Sequence, residues 1–150
     1  MRLLLKTARV VLLALAALVV FLRDVSAEPG PPPFVVIVHP SNPARVVERT
    51  FVAEVFLKKT TRWPSGAVVK PVDLPPESAT RERFSQEVLK RSVAAVKSYW
   101  QQIIFSGRDV PPPELSNDEA VVQYVLTNRG AIGYVSGSAR LGDAKTVVLQ

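Results

Sequence analysis

The sequence predicts an α/β domain, a mixed sheet of about four strands with helices on its faces. Three observations carry that expectation. Short runs of apolar, β-branched residues alternate with segments whose apolar residues recur at helical spacing. Proline and glycine clusters punctuate the boundaries between these segments. The length remaining after an N-terminal leader suits one core and not two lobes with separate cores.

The leader is read first, because it must be set aside from the fold. Arg2, Lys6 and Arg9 make a positive start, residues 10–22 are an unbroken apolar run, and 23–27 close it with Val25 and Ala27 at the small-residue positions. Residues 1–27 are therefore expected to be a secretory signal peptide. The apolar run is shorter than the roughly 20 residues a membrane-spanning helix needs. The leader holds four basic residues and one acid, so the net charge of +6 falls to +3 over residues 28–150. A small charge spread along the chain argues against nucleic acid, which usually meets a clustered basic face. The absence of cysteine excludes disulfides, thiolate metal sites and a thiol nucleophile. A soluble periplasmic domain is the expected setting.

Residues 28–33 form a Pro/Gly linker, and the domain is expected over 34–150. Residues 34–38 read as a strand buried on both faces, hence central, ended by the loop Pro40-Ser41-Asn42-Pro43. Phe51, Val52, Val55 and Phe56 give residues 49–59 a helical stripe. Residues 67–72 are a second strand, placed at an edge or strand end by Pro71. Phe84 and Val88 mark a helix over 80–90, and Ser92 caps another that runs to about Phe105. Pro111-Pro112-Pro113 is an extended connector. Ser116 and Glu119 have the spacing of a capping box, opening a helix that Gly130 closes. Residues 131–135 and 146–149 are the third and fourth strands, the last expected near an edge. Val36, Phe56, Phe84, Val96, Trp100, Val122, Val125 and Ile132 should point inward.

Enzyme chemistry is poorly represented. The one histidine, His39, stands in a loop with no Asp, Glu or Cys at a meaningful spacing. The carboxylates are expected at solvent-facing helix positions. No phosphate-binding P-loop, dinucleotide fingerprint or Gly-x-Ser-x-Gly elbow is present. No enzymatic activity, cofactor or metal is expected. One feature carries more. Ser78-Ala79-Thr80-Arg81 opens a helix straight after a strand and loop, and the first N–H groups of a helix carry the positive end of its dipole. Ser78 and Thr80 hydroxyls with the Arg81 charge could hold a small anion, with Ser41 and Asn42 as first-loop contacts. The same serine or threonine serves equally as an ordinary helix cap.

Several segments together resemble phosphate-binding proteins of ABC transporters. They are Phe51-Val52-Ala53-Glu54-Val55-Phe56-Leu57-Lys58-Lys59, Trp63-Pro64-Ser65-Gly66, Val72-Asp73, Arg81-Glu82-Arg83-Phe84-Ser85, Tyr99-Trp100, Phe105-Ser106-Gly107, Pro111-Pro112 and Ala131-Ile132-Gly133-Tyr134-Val135. In that order they are most similar to short, single-lobe periplasmic-binding-protein-like members. The resemblance implies a binding-protein lobe and a small anion such as phosphate as ligand. It also implies an ABC transporter permease or a sensor protein as partner, with a homodimer or separate lobe completing the enclosure. The chain departs from the family where it matters. Ala79 stands where the family has glycine, Asp73 stands about where it has the anion-binding arginine, and Pro40-Ser41-Asn42-Pro43 replaces its first phosphate loop. The alternative is an interaction or sensor accessory domain that kept the scaffold without the ligand.

Overall fold

The computed structural model describes residues 30–150. The expected signal peptide over 1–27, and the start of the linker, lie outside those residues. Five strands form one sheet in the order β2–β5–β1–β4–β3, with β1 Val35–Val38, β2 Val46–Val47, β3 Lys70–Pro71, β4 Ala131–Val135 and β5 Lys145–Leu149. β1 is central and antiparallel to both β4 and β5, while β2 pairs parallel to β5 and β3 parallel to β4. The sheet is mixed, as expected, but has five strands where four were read. β2 holds only two residues between a proline-bounded loop and a helix, too short to leave a periodic signal. It covers β5, which therefore lies one strand in from the edge.

β3 is shorter than the run 67–72 and does lie at the edge. Lys70 and Val72 donate to the Gly130 and Ile132 carbonyls of β4, so the missing N–H of Pro71 faces away from the ladder and costs it nothing. Beyond β3 the chain stays extended. Asp73 N–H donates to Pro113 O at 2.9 Å, and Leu115 N–H donates to Asp73 O at 2.9 Å. The proline connector thus covers the open edge.

Four α-helices pack around the sheet: α1 Arg49–Phe56, α2 Ala79–Phe84, α3 Val93–Phe105 and α4 Asp118–Thr127. α1 stops three residues before the expected end, and Lys58 turns the chain with φ of 52°. α2 widens into a π-helical turn over Ser85–Leu89 and ends on Lys90 with φ of 55°. Ser92 caps α3 by accepting from Ala95 N–H at 3.1 Å. The cap of α4 is Asn117, which accepts from Ala120 N–H at 2.9 Å, and not Ser116. Asn117 takes the extended backbone of a cap, so the helix starts one residue later than a box at Ser116 implies.

The two sheet faces are covered differently. Gly133 faces α4, and a Cβ there would lie 2.7 Å from Val121 Cγ1 and 3.0 Å from Val72 Cγ2. The missing side chain lets α4 settle close on the sheet. Its neighbour Tyr134 points to the other face, where its ring stacks on Phe84 with centroids 3.8 Å apart and Phe56 packs against both. All eight expected inward residues are buried.

Replacing Gly133 with alanine forces a methyl between α4 and β3, and should cost about 1–3 kcal/mol. Thermal unfolding should show the loss, and Val121→Ala in the same chain should recover part of it by making room.

Candidate functional site

The strand that leaves the sheet at β3 sets the geometry of the site. Residues 72–74 run on from it, the Ser78 N–H closes a turn on Pro75 O at 2.9 Å, and α2 begins. Ser78 is the cap: its Oγ accepts from Arg81 N–H at 3.3 Å. Ser78 and Thr80 line an open cleft of about 480 Å³ with Leu74, Pro75, Glu77 and residues 116–119. Two helix starts, those of α2 and α4, therefore border one cleft. Its electrostatics oppose an anion. The lining includes the carboxylates Glu77, Asp118 and Glu119, and neither lysine nor arginine among the described residues.

Arg81 belongs to the other side of the same turn. Its guanidinium reaches back under residues 72–74. There Nη2 meets Asp73 Oδ2 at 3.2 Å, and Nη1 meets Glu114 Oε1 at 2.5 Å and also donates to Leu74 O. The Arg81 and Asp73 side chains are only 7% and 8% exposed, while that of Glu114 is 48% exposed. Asp73 Oδ1 accepts from the Tyr134 hydroxyl and, at 3.0 Å, from Leu74 N–H. Every polar atom in this buried group has a partner.

Burial pushes the Asp73 carboxyl above its ordinary value, against the pull of Arg81, the Tyr134 hydroxyl and Leu74 N–H. Burial alone would lower Arg81, but Asp73 and then Glu114 hold it above the ordinary arginine value, so it stays charged. Burial and the neighbouring Asp73 raise the Tyr134 phenol, which remains a neutral donor. The arrangement is a closed ion pair with a phenol clamp. It offers no free cation to a ligand in the cleft.

The five residues singled out in the sequence fall into two places. Ser78, Thr80 and Arg81 come together at one turn, with the two hydroxyl residues on the cleft and the guanidinium beneath it. Ser41 and Asn42 follow β1, which runs antiparallel to β4 while β3 runs parallel to it. The loop 39–43 therefore leaves the opposite end of the sheet. There Ser41 N–H donates to His39 Nδ1 at 3.1 Å, Asn42 Oδ1 accepts from Ala44 N–H, and Asn42 O accepts from Lys145 Nζ. His39, Ser41 and Asn42 thus spend their polar groups on the turn itself and on Lys145 of β5. Asp73 stood out in the sequence as an acid in place of an arginine, but its grouping with Arg81, Glu114 and Tyr134 is what sequence reasoning missed. Asp73 overturns the expectation that carboxylates lie at solvent-facing helix positions. The signal was thin: an Asp and an Arg on either side of a Pro-Pro turn.

No family model matches this chain, and no curated protein matches it. Solved structures do. One is a candidate phosphate ABC transporter substrate-binding protein with bound phosphate from Clostridium perfringens. It has a TM-score of 0.61 and 21% identity over 78% of this chain and 44% of that one. A second is an ABC-type phosphate transport receptor from Vibrio cholerae, with a TM-score of 0.60 and 16% identity over 78% and 46%. A third is PstS from Borrelia burgdorferi, with a TM-score of 0.59 and 8% identity over 79% and 47%. The chain spans less than half the length of these structures. The likeness establishes the fold, a binding-protein-like lobe, in agreement with the resemblance in the sequence.

Removing Arg81 strands the buried Asp73 charge, whereas removing Asp73 leaves Arg81 with Glu114 and the Leu74 carbonyl. Arg81→Ala should destabilise the domain by about 3–5 kcal/mol, and Asp73→Ala by less. Glu114→Gln, at a half-exposed position, should cost about 1 kcal/mol or less. Urea unfolding of the three variants, with the Asp73/Arg81 double variant to complete a cycle, checks the order.

Proposed function

We propose that this chain is a binding-protein-like lobe that works as an interaction module, and not as a free-standing phosphate receptor. The observation that carries this reading is the neutralisation of Arg81 by Asp73 and Glu114. A phosphate dianion entering the cleft would meet Glu77, Asp118 and Glu119 with no cation to offset them. Like charges about 4 Å apart cost about 1 kcal/mol per pair even in water, and more where water is displaced. The partner in this reading is a component of an anion-uptake system, either the membrane permease of an ABC transporter or a sensor protein, and the location is the periplasm. No helix among the described residues is long and apolar enough to cross a membrane.

A second reading keeps a small anion such as phosphate in the cleft, held by the backbone and hydroxyls of Ser78 and Thr80. The convergence of two helix starts on one cleft favours it. Enclosure would then come from another chain, a homodimer partner or a separate lobe, and the affinity of the isolated chain would be weak and salt-sensitive.

Calorimetric titration with phosphate separates the readings. The first expects no heat of binding up to about 1 mM ligand, near −4 kcal/mol. High-micromolar binding that falls with salt and disappears in Ser78→Ala/Thr80→Ala favours the second. Submicromolar binding by the monomer overturns the first. The double substitution itself should cost about 1 kcal/mol of stability, because Ser78 is the α2 cap.

A further inference from the structure

We propose that the Asp73 carboxylate is a built-in occupant of an oxyanion niche made by Arg81, the Tyr134 hydroxyl and the Leu74 N–H. The niche stays shut to free anions while that carboxylate is present and accepts a small planar carboxylate when it is not. The proposal rests on the reading above, that Arg81 is not offered to a ligand in the cleft.

The donors are held in place by contacts that do not involve the Asp73 side chain. Tyr134 is fixed by its stack on Phe84 and by Phe56. Arg81 is fixed by Glu114 and the Leu74 carbonyl. The backbone that presents Leu74 N–H is fixed by the two hydrogen bonds between the main chain of Asp73 and residues 113 and 115. Shortening Asp73 to alanine therefore removes a carboxylate and leaves its three donors pointing at the vacated position. Preorganised donors in a buried, water-poor space favour an anion that replaces the lost group. With Asp73 gone, Glu114 still faces the Arg81 guanidinium and supports its charge.

Size and charge define the ligand. Asp73→Ala lacks a carboxylate, which formate supplies. Asp73→Gly lacks the methylene as well, which acetate supplies. Phosphate is excluded by charge: formate restores the single negative charge that Asp73 carried beside Arg81 and Glu114, while a dianion adds one more with no partner in a buried place.

Thermal unfolding of the full chain and its variants, in formate, acetate, chloride or phosphate at one ionic strength, tests this. The wild-type chain should respond equally to all four. Asp73→Ala should melt about 2–5 °C higher in formate than in chloride, with half the effect in the millimolar range. Asp73→Gly should prefer acetate over formate, and neither variant should gain from phosphate. If the single variants do not fold in chloride, refolding yield in each anion gives the same comparison. Asp73→Ala/Arg81→Met removes both charges of the buried pair and should be indifferent to the anion. Equal melting in formate and chloride for both single variants overturns the proposal, as does formate rescue that persists without Arg81. Tight phosphate binding by the wild-type chain would instead overturn the functional reading, a separate result in a separate protein.

Discussion

A buried carboxylate facing a buried guanidinium holds together four parts of the chain that are otherwise distant. Asp73 continues β3, Arg81 comes from α2, Tyr134 from the central part of β4, and Glu114 from the proline connector. Two ions out of water are costly, and each is tolerated because the other faces it. The group therefore acts as a register mark. It ties α2 and Glu114 of the proline connector to the end of β3, and it meets the aromatic face at Tyr134, whose ring Phe84 and Phe56 hold in place.

This dependence also bears on what the scaffold can do. The lobe shares its fold with structures described as phosphate-binding, yet its turn carries an acid about where the resemblance leads one to expect a basic residue. The positive charge has not vanished. It sits eight positions later, folded inward to meet that acid. The interior can hold that charge because acid and base face each other, while the cleft a ligand would meet is lined by carboxylates from α4 and by no cation among the described residues.

Much of the architecture was legible in the sequence, and the reasons are local. β1, β4 and α3 announce themselves through continuous apolar runs, an inward stripe and a serine cap, all within a few neighbouring positions. The features that were not legible are those set at a distance. β2 exists because β5 offers it an edge, with too few residues to show a period of its own. The cap of α4 passed from Ser116 to Asn117 because backbone geometry decided between two adequate side chains. Asp73, Glu114 and Tyr134 could not be read as a group, since nothing in their spacing says that the sheet brings them together. The separation of Ser41 and Asn42 from Ser78 likewise follows from the antiparallel placement of β1, a property of topology and not of either motif.

That placement has a consequence for how the molecule is made. Val35 pairs with Val135 and Val36 with Val147, so the central strand finds its partners about 100 residues later in the chain. A growing polypeptide can form α1 or α3 early, but β1 has no ladder to join until the last stretch has emerged. The centre of the sheet therefore assembles only once residues 131–149 have been made, in a step that closes loops of about 100 residues. Until then the most apolar strand stays unpaired, and any truncation that removes β4 and β5 leaves it permanently without a neighbour.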